Sequence, residues 1–238
     1  MNYYLIILGI LIVLLIVFLY YFVYTTNNKV LSVQANLKVS NPAITSINNP
    51  TSRRYAYGIW IYVNSWDNTR DKTIFTRENN ITLKLAATSP TLICSIITDN
   101  PTTPSIETPI TDNFPLQKWV FVVLSIDNQF LDCYLDGKLV RSSKIQTQLT
   151  GNNTNGAMTT YIPKTPSEST PVQLGTNVDI VIASFTRWSA PVDPQTVWSE
   201  YAKGNNNSFM SRFTNMKSYG ANISILQNNM EYSKINLF

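Results

Sequence analysis

The chain has 238 residues, a formal net charge of +4 and no histidine. That length allows one ordinary domain plus a membrane span, and without histidine the commonest general base and metal ligand are missing. Residues 1–60 carry Lys29, Lys38, Arg53 and Arg54 and no acid, while the remaining fourteen Lys/Arg match the fourteen Asp/Glu; no basic patch interleaved with aromatics appears, so no nucleic-acid partner is expected.

The first element is "YYLIILGILIVLLIVFLYYFVY", Tyr3–Tyr24, without charge or proline. Twenty-two helical residues rise about 33 Å, enough for a hydrocarbon core of about 30 Å. Residues 1–24 are therefore expected to be a transmembrane α-helix. Tyr3 and Tyr4 at one end and Tyr20, Tyr21 and Tyr24 at the other fall where an aromatic belt contacts lipid. A cleaved leader would need a basic start, a shorter apolar core and a small-residue cleavage site, none of which is present. Lys29 and Lys38 flank only the C-terminal side, so the positive-inside rule predicts a cytoplasm-facing domain, with Lys29 near lipid headgroups. The four N-x-S/T sequons at Asn80, Asn152, Asn206 and Asn222 are expected by chance in so Asn-rich a chain.

Residues 25–54 read as a basic polar stalk, with Asn-Pro turn signals at 41–42 and 49–50. From residue 55 the period changes to two. "YAYGIWIYV" sets Tyr57, Ile59, Ile61 and Val63 on one face against Trp60 and Tyr62 on the other. "KTIFTREN", "NITLKLAA" and "TLICSIIT" predict three more strands. Residues 99–115 hold four prolines and predict a surface loop with at most a short edge strand. "KWVFVVLSID", "FLDCYLDG" and "KLVRSSKI" form a meander whose Asp136-Gly137 is the strongest hairpin signal in the chain. A second loop covers about 145–172; "VQLGTN" and "VDIVIASFTRWSA" supply the closing strands. In "DPQTVWSEYAKG", Asp193 caps, Pro194 starts and Gly204 ends a short helix, with Trp198 expected to pack it on the sandwich. Residues 205–238 form an Asn-rich tail whose Phe209, Phe213, Tyr219, Tyr232 and Phe238 are candidate partner-binding anchors; whether the tail wraps its own domain or a neighbour stays open. Cys94 and Cys133 both lie in apolar strand patterns and read as buried thiols, although sequence cannot exclude a bond between them.

Alternating strands with almost no helix predict an all-β, two-sheet antiparallel sandwich. The order "YGIWIYV", "TIFTREN", "ITLKL", "QKWVFVVLSIDN", "LDCYLDGKLV", "VDIVIASFTRWSAPVDPQTVWSEYAKG" resembles the laminin-G / concanavalin A-like lectin-glucanase superfamily over residues 55–204. The resemblance implies a concanavalin A-like jelly roll. Glycosidases of that superfamily place paired carboxylates in an E-x-D-x-x-E arrangement; this chain has no E-x-D, and its nearest pair, Asp132 and Asp136, includes a turn residue. A nucleophilic triad lacks a base. No enzyme activity is expected, and no catalytic or metal residue is assigned. The resemblance also implies Ca²⁺ as an optional ligand; "DNTRD", 67–71, has suitable oxygens, weakened by Arg70, and no cofactor is expected. For a glycan, the loop "NSWDNTRD" offers Trp66, Asp67 and Arg70.

A short span followed by a laminin-G-like domain in a histidine-free, Asn/Thr-rich chain also resembles membrane-associated virion proteins of large double-stranded DNA viruses. That resemblance implies a minor capsid protein tethering the virion inner membrane to the capsid layer, with the bilayer and capsid proteins as partners. The alternative is a membrane-anchored lectin-like module that binds glycans or another surface ligand.

Overall fold

The computed structural model describes residues 8–17, 28–100, 105–148, 158–205, 222–227 and 230–236. Residues 8–17 are helical (α1), and nine large apolar side chains from Leu8 to Val17 are 46–63% exposed. Among the described residues no helix is long and apolar enough to cross a membrane. Tyr3, Tyr4, Tyr20, Tyr21 and Tyr24 lie outside the described residues.

In chain order the strands are β1 (Asn28–Asn36), β2 (Arg54–Val63), β3 (Lys72–Arg77), β4 (Ile81–Leu85), β5 (Leu92–Ile97), β6 (Ser105–Thr111), β7 (Trp119–Asp127) and β8 (Phe130–Leu135). They continue with β9 (Lys138–Lys144), β10 (Gln146–Gln148), β11 (Met158–Thr160), β12 (Val172–Leu174), β13 (Ile180–Trp188), helix α2 (Pro194–Lys203), β14 (Asn222–Gln227) and β15 (Met230–Asn236). One antiparallel sheet runs β1-β13-β2-β7-β8-β9 and the other β12-β3-β4-β5-β6. β10–β11 and β14–β15 are separate two-stranded ribbons. The strand predictions from residue 55 hold in position, and β6, with Pro109, occupies a sheet edge inside the proline-rich loop.

The expected stalk needs correction. Residues 28–36 pair with β13 from Asn28↔Trp188 to Asn36↔Val181; Leu37 is buried, and Ile44 exchanges backbone bonds with Val172 at 2.8 and 3.0 Å. The segment carries Val30, Leu31, Val33 and Ala35 among its polar residues, too few to mark a strand, but it finds an open β13 edge whose donors and acceptors need partners. The sandwich thus begins at Asn28.

Between the sheets lies one core. Tyr57, Ile59, Ile61 and Val63 face Phe75, Leu83, Leu85 and Cys94 across it. β2 and β7 are buried on both faces, because α2 covers the outer face of the six-stranded sheet. There Trp60, Phe121, Val123, Tyr134, Ala183 and Val197 form a second, smaller core, with Trp60 stacked on Tyr201 at 5.6 Å. The helix is set by its caps: Asp193 Oδ1 accepts from the Thr196 N–H at 2.8 Å, and the Gly204 N–H donates to Tyr201 O at 3.0 Å, the first worth about 1 kcal/mol. A Cβ on Gly58 would come within 2.7 Å of the buried Trp188 ring, so only glycine leaves room for that indole against the sheet.

A bulge between Ala183 and Thr186, with Ser184 at φ 47°, resets the alternation of β13 and turns Arg187 inward. Arg187 and Arg77 are 2% and 1% exposed, and among the described residues neither has a carboxylate partner. Carbonyls accept from them instead, although the buried Arg187 Nε finds no partner among the described residues. Arg77 donates to Pro50 O at 2.7 Å and Thr170 O at 3.2 Å, and Arg187 donates to Asn48 O and, at 3.2 Å, to Asn49 O. The two guanidiniums staple the 48–50 and 167–170 loops over one end of the sandwich. Cys94 and Cys133, on facing sheets, are buried free thiols. Burial pushes both up in pKa, Cys133 to about 12. Asn80 is fully buried and donates to Lys164 O at 3.1 Å, so folding closes that sequon.

Candidate functional site

The strands end in two sets of loops, and the larger cleft lies among the set holding the β2–β3 loop. It encloses about 690 Å³ and is lined by Lys38, Ser65, Asp67, Arg70, Lys72, Asn177, Val178 and Asp179. Three chain segments build it: the turn after β1, the β2–β3 loop and the approach to β13. Asp179 holds them together. Its carboxylate pairs with Lys38 Nζ at 3.0 Å and accepts from Ser65 Oγ at 2.6 Å and Asn64 Nδ2 at 3.0 Å. These donors, Ser65 foremost, hold it below the usual carboxylate range. Asp67 accepts from the Thr69 hydroxyl at 2.7 Å and backbone N–H at 2.9 Å, which lowers it likewise. Arg70 lies 3.7 Å from Asp67 and donates to Asn177 O.

Asp67 and Arg70 therefore share the cleft. Trp66 does not serve as a platform. It is half-buried against the core, and the Lys72 ammonium sits 3.9 Å over its ring. Lys72 is itself 3% exposed and donates to Arg70 O at 3.0 Å and Ala87 O at 3.2 Å; burial lowers its pKa. A ring already covered by a cation cannot take a sugar face. The carboxylates of the 67–71 loop are also committed: Asp71 pairs with Lys84 at 2.8 Å. Among the described residues no three His/Cys/Asp/Glu gather as metal ligands.

The open aromatic face belongs to Trp198. Contrary to expectation it does not pack inward: Val197 and Tyr201, four apart, face the sheet, and Trp198, 100° round from Val197, is 52% exposed. That helical spacing was the available signal. Trp198 borders a second cleft of about 460 Å³ with Asn113, Pro115, Asp136, Lys138 and Tyr201. Its position rests on the β8–β9 turn, where Asp136 and Gly137 have φ 47° and 80°, as a type I′ hairpin requires. Asp136 sits in this turn, not on the strand face with Asp132. Its Oδ1 accepts from the Phe121 N–H at 2.9 Å, and its Oδ2 lies 3.6 Å from Lys118. That commitment takes Asp136 out of the Asp132–Asp136 pair considered for glycoside hydrolysis. Lys38, Asn177, Asp179 and Trp198 were missed from sequence. Of the tail anchors, Phe209, Phe213, Tyr219 and Phe238 lie outside the described residues; Tyr232 is in β15. Lys29 Nζ donates to Ser46 Oγ.

Two facing antiparallel sheets, a helix on one outer face and loop-walled clefts define a jelly-roll sandwich of the lectin type. Residues 38–197 match the family described as the Concanavalin A-like lectin/glucanases superfamily, and the chain belongs to that family. No curated protein matches the chain. Among solved structures it is similar to the botulinum neurotoxin serotype D binding domain, with a TM-score of 0.54 and 16% identity over 72% of this chain and 43% of that one. The botulinum neurotoxin serotype D ligand binding domain in complex with N-acetylneuraminic acid gives a TM-score of 0.52 and 15% identity over 75% of this chain and 45% of that one. The chain spans less than half the length of either structure, and the likeness is one of fold.

Proposed function

We propose that this protein is a non-catalytic glycan-binding module held on a membrane by its N-terminal apolar segment. The observation that carries the reading is the 690 Å³ cleft, whose walls set the cations Lys38, Arg70 and Lys72 beside the carboxylates Asp67 and Asp179. A hydroxyl-rich ligand needs such interleaved donors and acceptors. Lys38 pairs with Asp179 and Arg70 lies beside Asp67, so the exposed charges balance, and Lys72, buried behind them, adds the positive charge that favours an acidic sugar over a neutral one. Trp198, beside the second cleft, supplies a face for a further sugar ring. The family's fold and the N-acetylneuraminic acid bound by one fold relative support the same class of ligand. The anchor rests on the unbroken apolar sequence and the outward side chains of α1. The test is calorimetric titration of the detergent-solubilised full chain with a sialylated oligosaccharide and its desialylated counterpart. The sialylated form binds more tightly, Arg70→Ala weakens it, and added salt weakens it further. Equal affinity for both, or none for either, rejects the reading.

A second reading is favoured by the unpaired thiols Cys94 and Cys133 and by the closed Asn80 sequon. These suit a module on the cytoplasmic side of a membrane, tethering a virion inner membrane to a capsid layer. A native mass without glycans or disulfide, together with no glycan affinity, selects it.

A further inference from the structure

The path of β1 carries a consequence for how the module sits on a membrane, granted the anchor proposed above. Three residues separate Tyr24, the end of the apolar run, from Asn28, the start of β1. Four Cα steps reach at most about 14 Å. No stalk lifts the sandwich, and the end holding Asn28 is leashed close to the point where the apolar segment stops. The same end holds Trp188, opposite Asn28, the start of β2 at Arg54, the β7–β8 turn at Asp127–Phe130, and Lys144, opposite Phe130. Gly204, after which the tail departs, borders a crevice there with Val30 and Trp188.

β1 then crosses the whole sheet. Nine residues at about 3.3 Å per step carry the chain roughly 26 Å to the opposite end, where Lys38 lines the large cleft. The second cleft, with Val120, Asp136 and Trp198, is at that far end too, since Val120 pairs with Ile61 near the close of β2.

The near end is suited to headgroups. Phe130 is 43% exposed, with the Lys144 ammonium 5.8 Å over its ring. Arg54 lies beside it across Asp127, Lys29 is at the same end on β1, and the buried Arg77 and Arg187 lie behind with no carboxylate partner among the described residues. Asp99 and Asp127 are paired with Arg53 at 2.7 Å and Arg54 at 2.8 Å, while Glu78 and Glu168 are exposed. We propose that the sandwich stands end-on on an anionic bilayer. Lys29, Arg54, Phe130 and Lys144 rest against the headgroups, and both clefts open roughly 30 Å away from them.

The test uses the full chain reconstituted in phosphatidylcholine–phosphatidylserine vesicles. A fluorophore is attached at Glu78→Cys, at the near end, or at Asn68→Cys, at the cleft end, and the quencher is a headgroup spin-labelled lipid. The Glu78→Cys label loses emission and the Asn68→Cys label does not. Adding Lys29→Glu and Lys144→Glu reduces the loss while the chain still floats with the vesicles. Flotation with equal quenching at both positions, or stronger quenching at Asn68→Cys, overturns the end-on seat and leaves the anchor standing. Unchanged quenching after the charge reversals overturns the headgroup contact. A chain that fails to float overturns the anchor and the seat together.

Discussion

Replacing Gly137 with alanine tests how the β8–β9 turn supports the Trp198 cleft. Gly137 has φ 80°, and a Cβ there would meet Trp198 Cε3 at 2.7 Å and Tyr201 Cδ1 at 3.2 Å. The left-handed conformation costs an alanine about 1–2 kcal/mol. The contact adds less, because Trp198 is 52% exposed and can swing outward, an off-rotamer displacement of about 0.5–1.5 kcal/mol. The expected loss is about 2–3 kcal/mol in all. It is read as a lower urea midpoint at unchanged slope in detergent. In a Trp198→Ala background the same change costs only the backbone share, about 1–2 kcal/mol. Displacing the indole also weakens any sugar bound on it. A Gly137→Ala chain within about 0.5 kcal/mol of the parent, the range of an ordinary surface change, would refute the argument.

Three further outcomes follow from buried or held groups. Arg77→Lys keeps the charge but loses the fork that reaches Pro50 O, Thr170 O and Ser167 O, so it destabilises by about 1–3 kcal/mol; a variant as stable as the parent in denaturant contradicts the staple. With no histidine and with Asp67 and Asp179 depressed, cleft binding stays flat from about pH 5 to 8. Carboxylates lowered by folding contribute fully above the ordinary carboxylate pKa and lose that contribution as pH falls through the lowered value. The cleft therefore loosens only below about pH 4, and an inflection near neutrality contradicts the assignment. Cys94 and Cys133 stay unmodified by maleimide in the native chain and react together after denaturation; a mass two hydrogens low shows a disulfide instead.

The sandwich was legible because its signals are local. Period two in "GIWIYV" sorts Ile59 and Ile61 from Trp60, Asp136-Gly137 names its own turn, and Asp193-Pro194 and Gly204 bracket α2. β1 was not legible, since its few apolar residues gain strand character only from the free edge of β13. The inward turn of Arg187 was hidden for a related reason: the bulge at Ser184 shifts the alternation by one, and only the pairing with β2 shows which way it points. Of the eight residues that line the cleft, two, Asp67 and Arg70, were named from sequence, because they share one turn-rich loop.

From the sequence alone come the apolar N-terminal run, the two-sheet sandwich, the missing E-x-D motif and the lack of histidine. Only the tertiary structure joins Lys38 and Asp67 to Asp179, covers Trp66 with Lys72, opens Trp198 and sets the clefts at the end opposite Asn28. Hydrophobic period and turn chemistry act between neighbours in the chain, whereas a cleft is made where strand ends distant in sequence are brought together by register.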